Sequence, residues 1–487
     1  MGVIIKGTDD TVKAADGSLS IEGFSIKTTG IGTFDGGVQV GSAATIHSTG
    51  QFNIGVAATI FANGNATYSG IVTASSYIGD GSALTGIAGT EITDSDFQVG
   101  VSTFFVDYST GRIGINTTVP TSALDVTGNV VASGVCTAAA FIPSEGQLSN
   151  RNIIINGAFQ IAQRGTSSTT SGYGDVDRWQ HEYAGTDEAP TFAQVDITSG
   201  DAPYLVGLTK AAKITNGNQT SGLQATSQIN FMQPIEAQDI RNCGWNYKSA
   251  SSYITLSYWV RASVAQEYHG FVKTADGSNY IYPFSLGSLS ANTWTKITKT
   301  IPGNSNLQID NDNGAGFQVW PVAFYGTDYT SDSITENAWA AWSSGGRSTD
   351  QTSTWWTTND STFELTGVQL EVGSYATPFE HRKYGDELAT CQRYYEVLYM
   401  SAGTACCYST GDGTIKYAHS WYFSQEKRAQ ASVALLGNAA FSASGGGTIT
   451  MTGIFTSKDH AMFYYDSGMF RLGDGSQDAS VKAESEL

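Results

Sequence analysis

Aromatic side chains crowd one polar loop, the segment from Trp320 to Phe363, and they suggest a ligand more strongly than any other group in the chain. Sugars have flat CH faces that stack on aromatic rings, and hydroxyl groups that pair with Asp, Asn or Arg. A loop of this composition offers both. The competing interpretation is that the rings anchor a long loop to the body of the protein. The candidate glycan site consists of Trp339, Trp342, Trp355, Trp356 and Tyr329.

No other combination of residues predicts catalysis or metal binding. The sequence has no GxSxG elbow, no HExxH motif and no phosphate-binding glycine loop. Its six histidines lack metal-ligand spacing, and its five cysteines include no CxxC pair. No pair of acidic residues stands out as the two carboxylates of a glycoside hydrolase. We therefore predict no catalytic residue, no metal site and no cofactor.

The charge balance excludes several classes of partner. The chain of 487 residues has 25 basic and 44 acidic residues, a net charge of −19. Phosphate contacts need clustered Lys and Arg, so we predict no binding to nucleic acid or to an anionic membrane surface. The sequence has no run of 18 apolar residues, so we predict no membrane-inserted helix. No secretory signal is visible at the N-terminus. We expect synthesis in a cytoplasm.

The elements that position the aromatic loop fall into four predicted regions. A change of composition at residues 143–146, Pro-Ser-Glu-Gly, marks a linker after a glycine-rich first part. All ten tryptophans lie beyond it. The predicted domains are 1–40, an N-terminal attachment segment; 41–148, a repeat-containing shaft; 150–385, a β-sandwich; and 386–487, a short helix followed by a tip.

The shaft contains internal repeats. GSAATIHSTGQFNI (41–54) aligns with GVAATIFANGNATY (55–68), and GNATYSGIVTASSYI (64–78) aligns with GNVVASGVCTAAAFI (128–142). One such unit buries too little apolar surface to fold alone. A single-chain β-solenoid or a trimeric fibre would solve this problem, and the few, irregular repeats favour the trimer. A flexible linker is the third alternative, against which the regular Ile and Val positions argue.

Apolar runs in residues 150–385 alternate or are continuous, and they end at Gly, Asn, Asp or Pro, which predicts strands. Because no helical periodicity accompanies them, the predicted fold class is all-β, with a sandwich or jelly roll here. Trp179, Trp245 and Trp259 are predicted core residues. The runs are RNIIINGAF (151–159), SYITLSYWVRAS (252–263), WTKITKTIP (294–302), GFQVWPVAFYG (316–326) and FELTGVQLEVG (363–373).

Residues 385–400 predict one short helix. The first turn is acidic, and Leu388, Cys391 and Tyr395 fall on one face. The short apolar runs that follow predict a small β-rich tip, which we interpret as receptor-binding.

Several stretches resemble bacteriophage tail fibres, especially those of phages of marine bacteria and cyanobacteria. GIVTASSYIGDGSALTGI (70–87) and GRIGINTTVPTSALDVTGNVVASG (111–134) are similar to the shaft repeats of these fibres. NIIINGAFQIAQRG (152–165) and TFELTGVQLEVGSYATPFEHRKYGDELATCQRYYE (362–396) resemble the fibres' middle domain. In the family, that domain is likened to carbohydrate-binding modules.

The resemblance implies a homotrimeric virion protein that is assembled in the host cytoplasm. Its N-terminus would bind the phage tail or an adaptor protein. Its sandwich and tip would bind a polysaccharide or lipopolysaccharide of the host surface. Two alternatives stay open: a tailspike-type enzyme that degrades host polysaccharide, and a purely structural virion fibre.

Overall fold

In the computed structural model, the chain divides into two compact units, Met1–Cys136 and Thr137–Leu487. The domain boundaries drawn from the sequence stay predictions. Among the described residues no helix is both long and apolar enough to cross a membrane. The structure describes residues 38–40, 44–47, 49–54, 57–73, 97–99, 103–107, 109–128, 130–131, 133, 149–220, 222–400, 406–409, 415–436, 441–443, 448–449, 451–465, 470–472 and 479–487.

The described part of the first unit forms two small sheets. In the first, β1 to β5 pair in sequence order as an antiparallel meander. In the second, β6, β7 and β8 are antiparallel and β9 pairs parallel to β8. The strands are β1 (Val38–Val40), β2 (Ala44–Ile46), β3 (Phe52–Ile54), β4 (Ala58–Ile60), β5 (Ala66–Tyr68), β6 (Phe97–Val99), β7 (Phe104–Asp107), β8 (Arg112–Ile115) and β9 (Leu124–Val126).

The 14-residue repeat folds as two equivalent β-hairpins. Ala44 lies opposite Ile54 in the first hairpin, and Ala58 lies opposite Tyr68 in the second. The first turn contains Gly50 with a φ of 85°, and its equivalent in the second turn has a φ of 89°. L-residues with a side chain rarely adopt this conformation, which explains why glycine recurs there.

The second unit contains a sandwich of two six-stranded antiparallel sheets. The back sheet has the order β10-β12-β13-β21-β15-β18, and the front sheet has the order β11-β14-β19-β16-β17-β20. The strands are β10 (Ser167–Ser168), β11 (Gln180–Ala184), β12 (Thr191–Asp196), β13 (Lys210–Thr215), β14 (Gln228–Glu236), β15 (Tyr253–Ala262), β16 (Gln266–Thr274), β17 (Tyr280–Leu289), β18 (Thr295–Pro302), β19 (Ala315–Tyr325), β20 (Ala340–Ala341) and β21 (Thr362–Val372).

The two sheets pack face to face and enclose the main core. The ring of Phe192 in the back sheet lies 5.8 Å, centroid to centroid, from that of Phe231 in the front sheet. Tyr268 of the front sheet is 5.5 Å from Phe363 of the back sheet. The predicted all-β fold with a β-sandwich is therefore confirmed. Four of the five predicted runs form strands here, as β15, β18, β19 and β21.

The tryptophans predicted to be core residues do not all occupy the main core. Trp179 and Trp245 do, and they are buried. Trp259 is half-buried and packs against a smaller cluster. Its strand neighbours Tyr258 and Val260 belong to the main core. Because successive side chains of a strand point to opposite faces, Trp259 is directed to the outer face.

The run at 151–159 does not form a strand, so that prediction is wrong. Asn156 has a φ of 57°, which a regular strand does not allow. The side chain of Asn152 binds the backbone of β21 instead. Its amide donates to the carbonyl of Val368 and its carbonyl accepts from the N–H of Leu370, both at 3.0 Å. Two backbone hydrogen bonds, from Ile153 to Leu370 and from Val368 to Gly157, join these side-chain bonds, so the segment is held against β21 without forming a strand.

The short helix predicted within 385–400 occupies the first half of that segment. Cys391 is buried and Leu388 packs near it, as expected for one helical face. Tyr395 instead begins a strand that pairs antiparallel with the strand ending at Glu484. Tertiary pairing overrides the local pattern. The helices are α1 (Ala202–Leu205), α2 (Ala237–Asn242), α3 (Thr354–Thr357) and α4 (Tyr384–Gln392).

The region after α4 is β-rich, as predicted. Its described strands form three sheets with the orders β22-β31-β25, β23-β24-β29-β28 and β27-β26-β30. They are β22 (Tyr395–Met400), β23 (Cys406–Ser409), β24 (Ile415–Tyr422), β25 (Ser432–Leu436), β26 (Phe441–Ala443), β27 (Thr448–Ile449), β28 (Met451–Thr456), β29 (His460–Tyr465), β30 (Phe470–Leu472) and β31 (Ala479–Glu484).

Buried ion pairs hold this region against the sandwich. Arg178 is almost fully buried, its guanidinium lies 3.5 Å from the centroid of the Tyr394 ring, and it pairs with the Glu486 carboxylate. Arg164 lies 3.7 Å from the centroid of Tyr395 and pairs with Glu486 at 2.9 Å. We call these five residues the C-terminal dock.

Candidate functional site

The outer face of the front sheet carries residues that strand alternation turns away from the core. Ile229 belongs to the main core, so its neighbour Asn230 on β14 faces outward. By the same alternation Phe271 and Lys273 on β16 and Trp320 on β19 face outward. Phe271 and Trp320 accordingly belong to a second apolar cluster, separate from the main core.

Stacked aromatic rings form the centre of this outer face. Phe271 lies 5.2 Å from Trp320 with an interplanar angle of 17°, and 6.3 Å from Tyr325. Trp342 lies 6.0 Å from Phe271 in a tilted arrangement. These are normal distances for favourable aromatic pairs. Trp320, Phe271 and Tyr325 are buried, whereas Trp342 is half-buried and presents part of its ring to solvent.

The loop after β19 folds back over the same face and supplies the outer rings. The backbone N–H of Trp342 donates to the carbonyl of Asn279 at 2.9 Å. The N–H of Arg347 donates to the carbonyl of Tyr329 at 2.8 Å, which fixes the two residues side by side. Tyr329 is half-buried and lies 5.4 Å from Tyr325. Backbone hydrogen bonds therefore hold the loop in place.

Two cations lie over these rings. The guanidinium of Arg347 is 4.2 Å from the centroid of Tyr329, 5.3 Å from that of Tyr325 and 5.2 Å from that of Trp342. The ammonium of Lys273 is 4.5 Å from the centroid of Trp342. These are cation–π distances. We call the group the platform; it consists of Phe271, Lys273, Trp320, Tyr325, Tyr329, Trp342 and Arg347.

The cations of the platform have no carboxylate partner within the described part of the chain. Arg347 donates to the side-chain carbonyl of Gln228 at 3.4 Å, and its Nε has no partner there. Burial lowers the pKa of Lys273, and the neighbouring Arg347 lowers it further. Glu182, on the adjacent β11, is close enough for its charge to act on both cations, and burial raises its pKa.

A buried amide lies next to the platform without hydrogen bonds. Asn230 is fully buried, and among the described residues neither its amide nitrogen nor its oxygen has a partner. It lies opposite Glu182 on β11 and opposite Val322 on β19. A buried polar group without a partner is costly, and this side chain is closed to solvent, so a bound water is the partner that it requires.

The structure separates the five residues predicted as a glycan site. Trp342 and Tyr329 belong to the platform. Trp339 packs half-buried against the main core, where its Nε1 donates to the carbonyl of Pro302 at 2.7 Å. Because the core lies on the other side of the front sheet, Trp339 does not share a surface with Trp342.

Trp355 and Trp356 do not belong to the candidate glycan site, so their prediction as site residues is corrected here by their burial. Their exposed fractions are 0% and 1%, and both belong to the main core. The Nε1 of Trp355 donates to the carbonyl of Thr362 at 3.0 Å, and Trp356 lies 5.2 Å from Phe324. Their rings have no face left for a sugar. For these two residues the loop-anchoring interpretation describes the structure.

The sequence prediction missed the polar members of the site. Lys273, Arg347 and Asn230 were not selected, and neither was Phe271. One signal was available: Phe271 and Lys273 are two residues apart in an apolar run, which places them on the same face of a strand. No comparable signal marks Arg347, because it reaches the platform through the path of a loop.

A cleft of about 840 Å³ lies elsewhere in the described part of the second unit. Residues 149–155, 238–243 and 380–390 contribute to its lining, which includes no Trp, Tyr or Phe. Arg382 in its wall lies 3.7 Å from Glu380 and 3.5 Å from Glu387. Without a ring for stacking, the cleft fits a sugar less well than the platform does. Among the described residues no cluster of three or more His, Cys, Asp or Glu could hold a metal ion.

Comparison with known proteins gives structural similarities only. No family model matches the chain, and no curated protein matches it. One similar structure is the enzymatically active domain of tailspike protein 4 of bacteriophage CBA120, at 10% identity and a TM-score of 0.23; it covers 46% of this chain, which spans 21% of the tailspike structure.

Two similar structures are described by their titles as carbohydrate-binding. The N-terminal cellulose-binding domain of a Cellulomonas fimi β-1,4-glucanase is 13% identical, with a TM-score of 0.21, covering 44% of this chain and 97% of the domain. The family 11 carbohydrate-binding module of Clostridium thermocellum is 9% identical, with a TM-score of 0.20, covering 44% and 98%. TM-scores of this size establish no ligand for this chain.

Proposed function

We propose that this chain is the subunit of a homotrimeric phage tail fibre that attaches the virion to its host by binding a cell-surface glycan at the platform. The observation that carries the proposal is the platform itself. Half-exposed rings of Trp342 and Tyr329 lie beside two cations, Lys273 and Arg347, that form no ion pair among the described residues. Stacking surfaces and unmet hydrogen-bonding groups on one face are what a sugar ring requires.

The fibre part of the proposal draws support from the first unit. Several of its apolar side chains are exposed in the single chain, with Ile71 97% exposed and Val131 92% exposed. Exposed apolar groups in series are a sign of an interface. Three copies of the repeat region around one axis would bury these side chains, in keeping with the resemblance to fibre shafts. The N-terminal segment would then bind the tail or an adaptor.

Two measurements test the proposal. Light scattering on the purified chain is expected to give about three times the subunit mass of 51.6 kDa. A monomeric mass would contradict the fibre. Fluorescently labelled protein is expected to bind host cells and purified envelope polysaccharide, and Trp342→Ala is expected to weaken that binding. Intact binding by Trp342→Ala would exclude the platform as the site.

The proposal includes no catalysis by this chain. We expect incubation with envelope polysaccharide to release no reducing sugar. Release would favour the tailspike-type enzyme instead. A trimer that neither binds cells nor cleaves glycans would favour a purely structural fibre.

A further inference from the structure

We infer that the platform selects an acidic sugar, one that carries a carboxylate or a sulfate, and that Arg347 and Lys273 bind the anionic group. The inference rests on the proposed glycan-binding function and names the class of glycan that the site takes.

The first step is the contrast between the platform and the rest of the chain. Acidic residues outnumber basic ones by 44 to 25. Some arginines elsewhere pair with carboxylates: Arg261 pairs with Glu364 at 2.7 Å, and Arg393 pairs with Glu236 at 2.8 Å. Arg428 instead donates to backbone carbonyl oxygen atoms, which satisfy its guanidinium without an anion. Arg347 and Lys273 form no such pair among the described residues, although carboxylates are abundant. The site therefore retains positive charge in a strongly negative molecule.

The second step is the local charge balance. Glu182 is a carboxylate whose charge acts on both Arg347 and Lys273. The two cations lie over one ring, that of Trp342, and neither forms an ion pair among the described residues. The lowered pKa of Lys273, which burial and Arg347 cause, means that the two cations repel each other in a partly desolvated place. A bound anion would relieve that repulsion, whereas a neutral sugar would remove the two positive charges further from water without compensating them.

The third step is geometry. Three aromatic rings hold the guanidinium of Arg347 by stacking, so its orientation is set before a ligand arrives. A guanidinium forms two parallel hydrogen bonds with a carboxylate or with the oxygen atoms of a sulfate. The exposed part of the Trp342 ring lies beside both cations. A sugar stacked on Trp342 would therefore place an acidic substituent within reach of Arg347 or Lys273.

The experiment measures binding of the full-length chain to a panel of neutral, carboxylated and sulfated oligosaccharides. We expect acidic members to bind, and binding to weaken as salt is raised, since ionic contacts are screened. Arg347→Met and Lys273→Met are each expected to weaken binding at least ~10-fold, which is about 1.4 kcal/mol. Lys248→Met is the matched control, because Lys248 also lies over a ring, 5.9 Å from the centroid of Tyr247, but outside the platform.

Chemical removal of the charge then separates the two sources of acidity. We expect a carboxylated oligosaccharide to lose binding when its carboxyl groups are reduced. We expect a sulfated oligosaccharide to lose binding when its sulfate groups are removed. Binding that survives the treatment overturns the inference. Binding to neutral members alone also overturns it, while the proposed glycan binding stands. Failure to bind any member contradicts both. Arg347→Lys keeps the charge but loses the two parallel hydrogen bonds, so it is expected to bind more tightly than Arg347→Met and less tightly than the unchanged chain. Urea denaturation of Arg347→Met with an unchanged midpoint shows that its loss of binding is not a folding defect.

Discussion

Two clusters in the second unit combine arginine with aromatic rings, and they differ in one respect. In the C-terminal dock, Arg178 and Arg164 lie over Tyr394 and Tyr395 and both pair with Glu486. In the platform, Arg347 lies over Tyr329, Tyr325 and Trp342 and pairs with no carboxylate among the described residues. The ring contacts are alike, and the presence of the anion distinguishes the clusters.

The difference separates a structural role from a binding role. A buried cation with its carboxylate in place is complete, and it fixes the segments that carry the two groups. A cation that rings hold without a carboxylate is oriented but incomplete, so it is available to a ligand. Arginine and tyrosine together do not define a function, because the presence or absence of a carboxylate partner separates the structural role from the binding role.

The largest effect is expected from breaking the dock. Arg178→Met removes one of the two arginines that pair with the Glu486 carboxylate and leaves it with Arg164. The expected cost is about 3 kcal/mol, the lower end of the range for breaking a buried ion pair. Urea denaturation followed by tryptophan fluorescence measures the loss. Arg347→Met is the matched control. It orphans no carboxylate, so its cost is expected to be about 1 kcal/mol or less. Equal losses in the two variants would contradict the comparison.

A loss of unfolding free energy of similar size is expected at Trp355, which lies in the aromatic loop but outside the platform. Trp355→Ala empties a fully buried position, which costs about 3–5 kcal/mol for an aromatic side chain. Glycan affinity of the folded fraction is expected to stay unchanged. A weakened affinity in protein that remains folded would return Trp355 to the binding site.

The pH dependence of stability tests Asp177, which lies 3.9 Å from Arg164 of the dock. Burial raises the pKa of this carboxyl to about 6 in the folded chain, from an unperturbed value of 3.8, although Arg164 opposes the rise. Between about pH 4 and pH 6 the folded state binds more protons than the unfolded state, so this group destabilises the fold as pH rises, by at most about 1.4 kcal/mol per pH unit. Asp177→Asn is expected to remove this part of the pH profile. Identical profiles for the two proteins would show that Asp177 is ionised throughout.

The smallest effect on stability, and the clearest on binding, is expected at Trp342. Trp342→Ala removes the half-exposed stacking ring and is expected to weaken glycan binding about tenfold. Trp339→Ala removes an indole from the same loop on the core side of the front sheet and is expected to leave affinity unchanged. The two variants, measured by titration calorimetry with the same glycan, decide whether the platform or the whole loop binds.

Strand periodicity predicted the sandwich class and four of its twelve strands, and its failures have local causes. Runs of ten or so apolar and alternating residues became β15, β18, β19 and β21. Residues 151–159 carry a similar pattern but use the Asn152 side chain to bind β21 and adopt a positive φ at Asn156. The sequence pattern places Tyr395 on the face of the predicted helix, but in the structure this residue begins β22, which pairs with β31. In both cases distant hydrogen bonds outweighed the local pattern.

The sequence by itself determined the all-β class, the hairpin repeat and the loop in which aromatic residues gather, because these follow from side-chain spacing and turn residues. Only the tertiary structure decided which rings face solvent. Trp342 and Trp355 lie in one loop, yet one is half-exposed and the other is fully buried. Burial depends on the path of the loop over the front sheet, and the same path brings Arg347 to rings on β19 and in its own loop and leaves it without a carboxylate. Contacts between residues far apart in sequence set that path, so no local pattern encodes it.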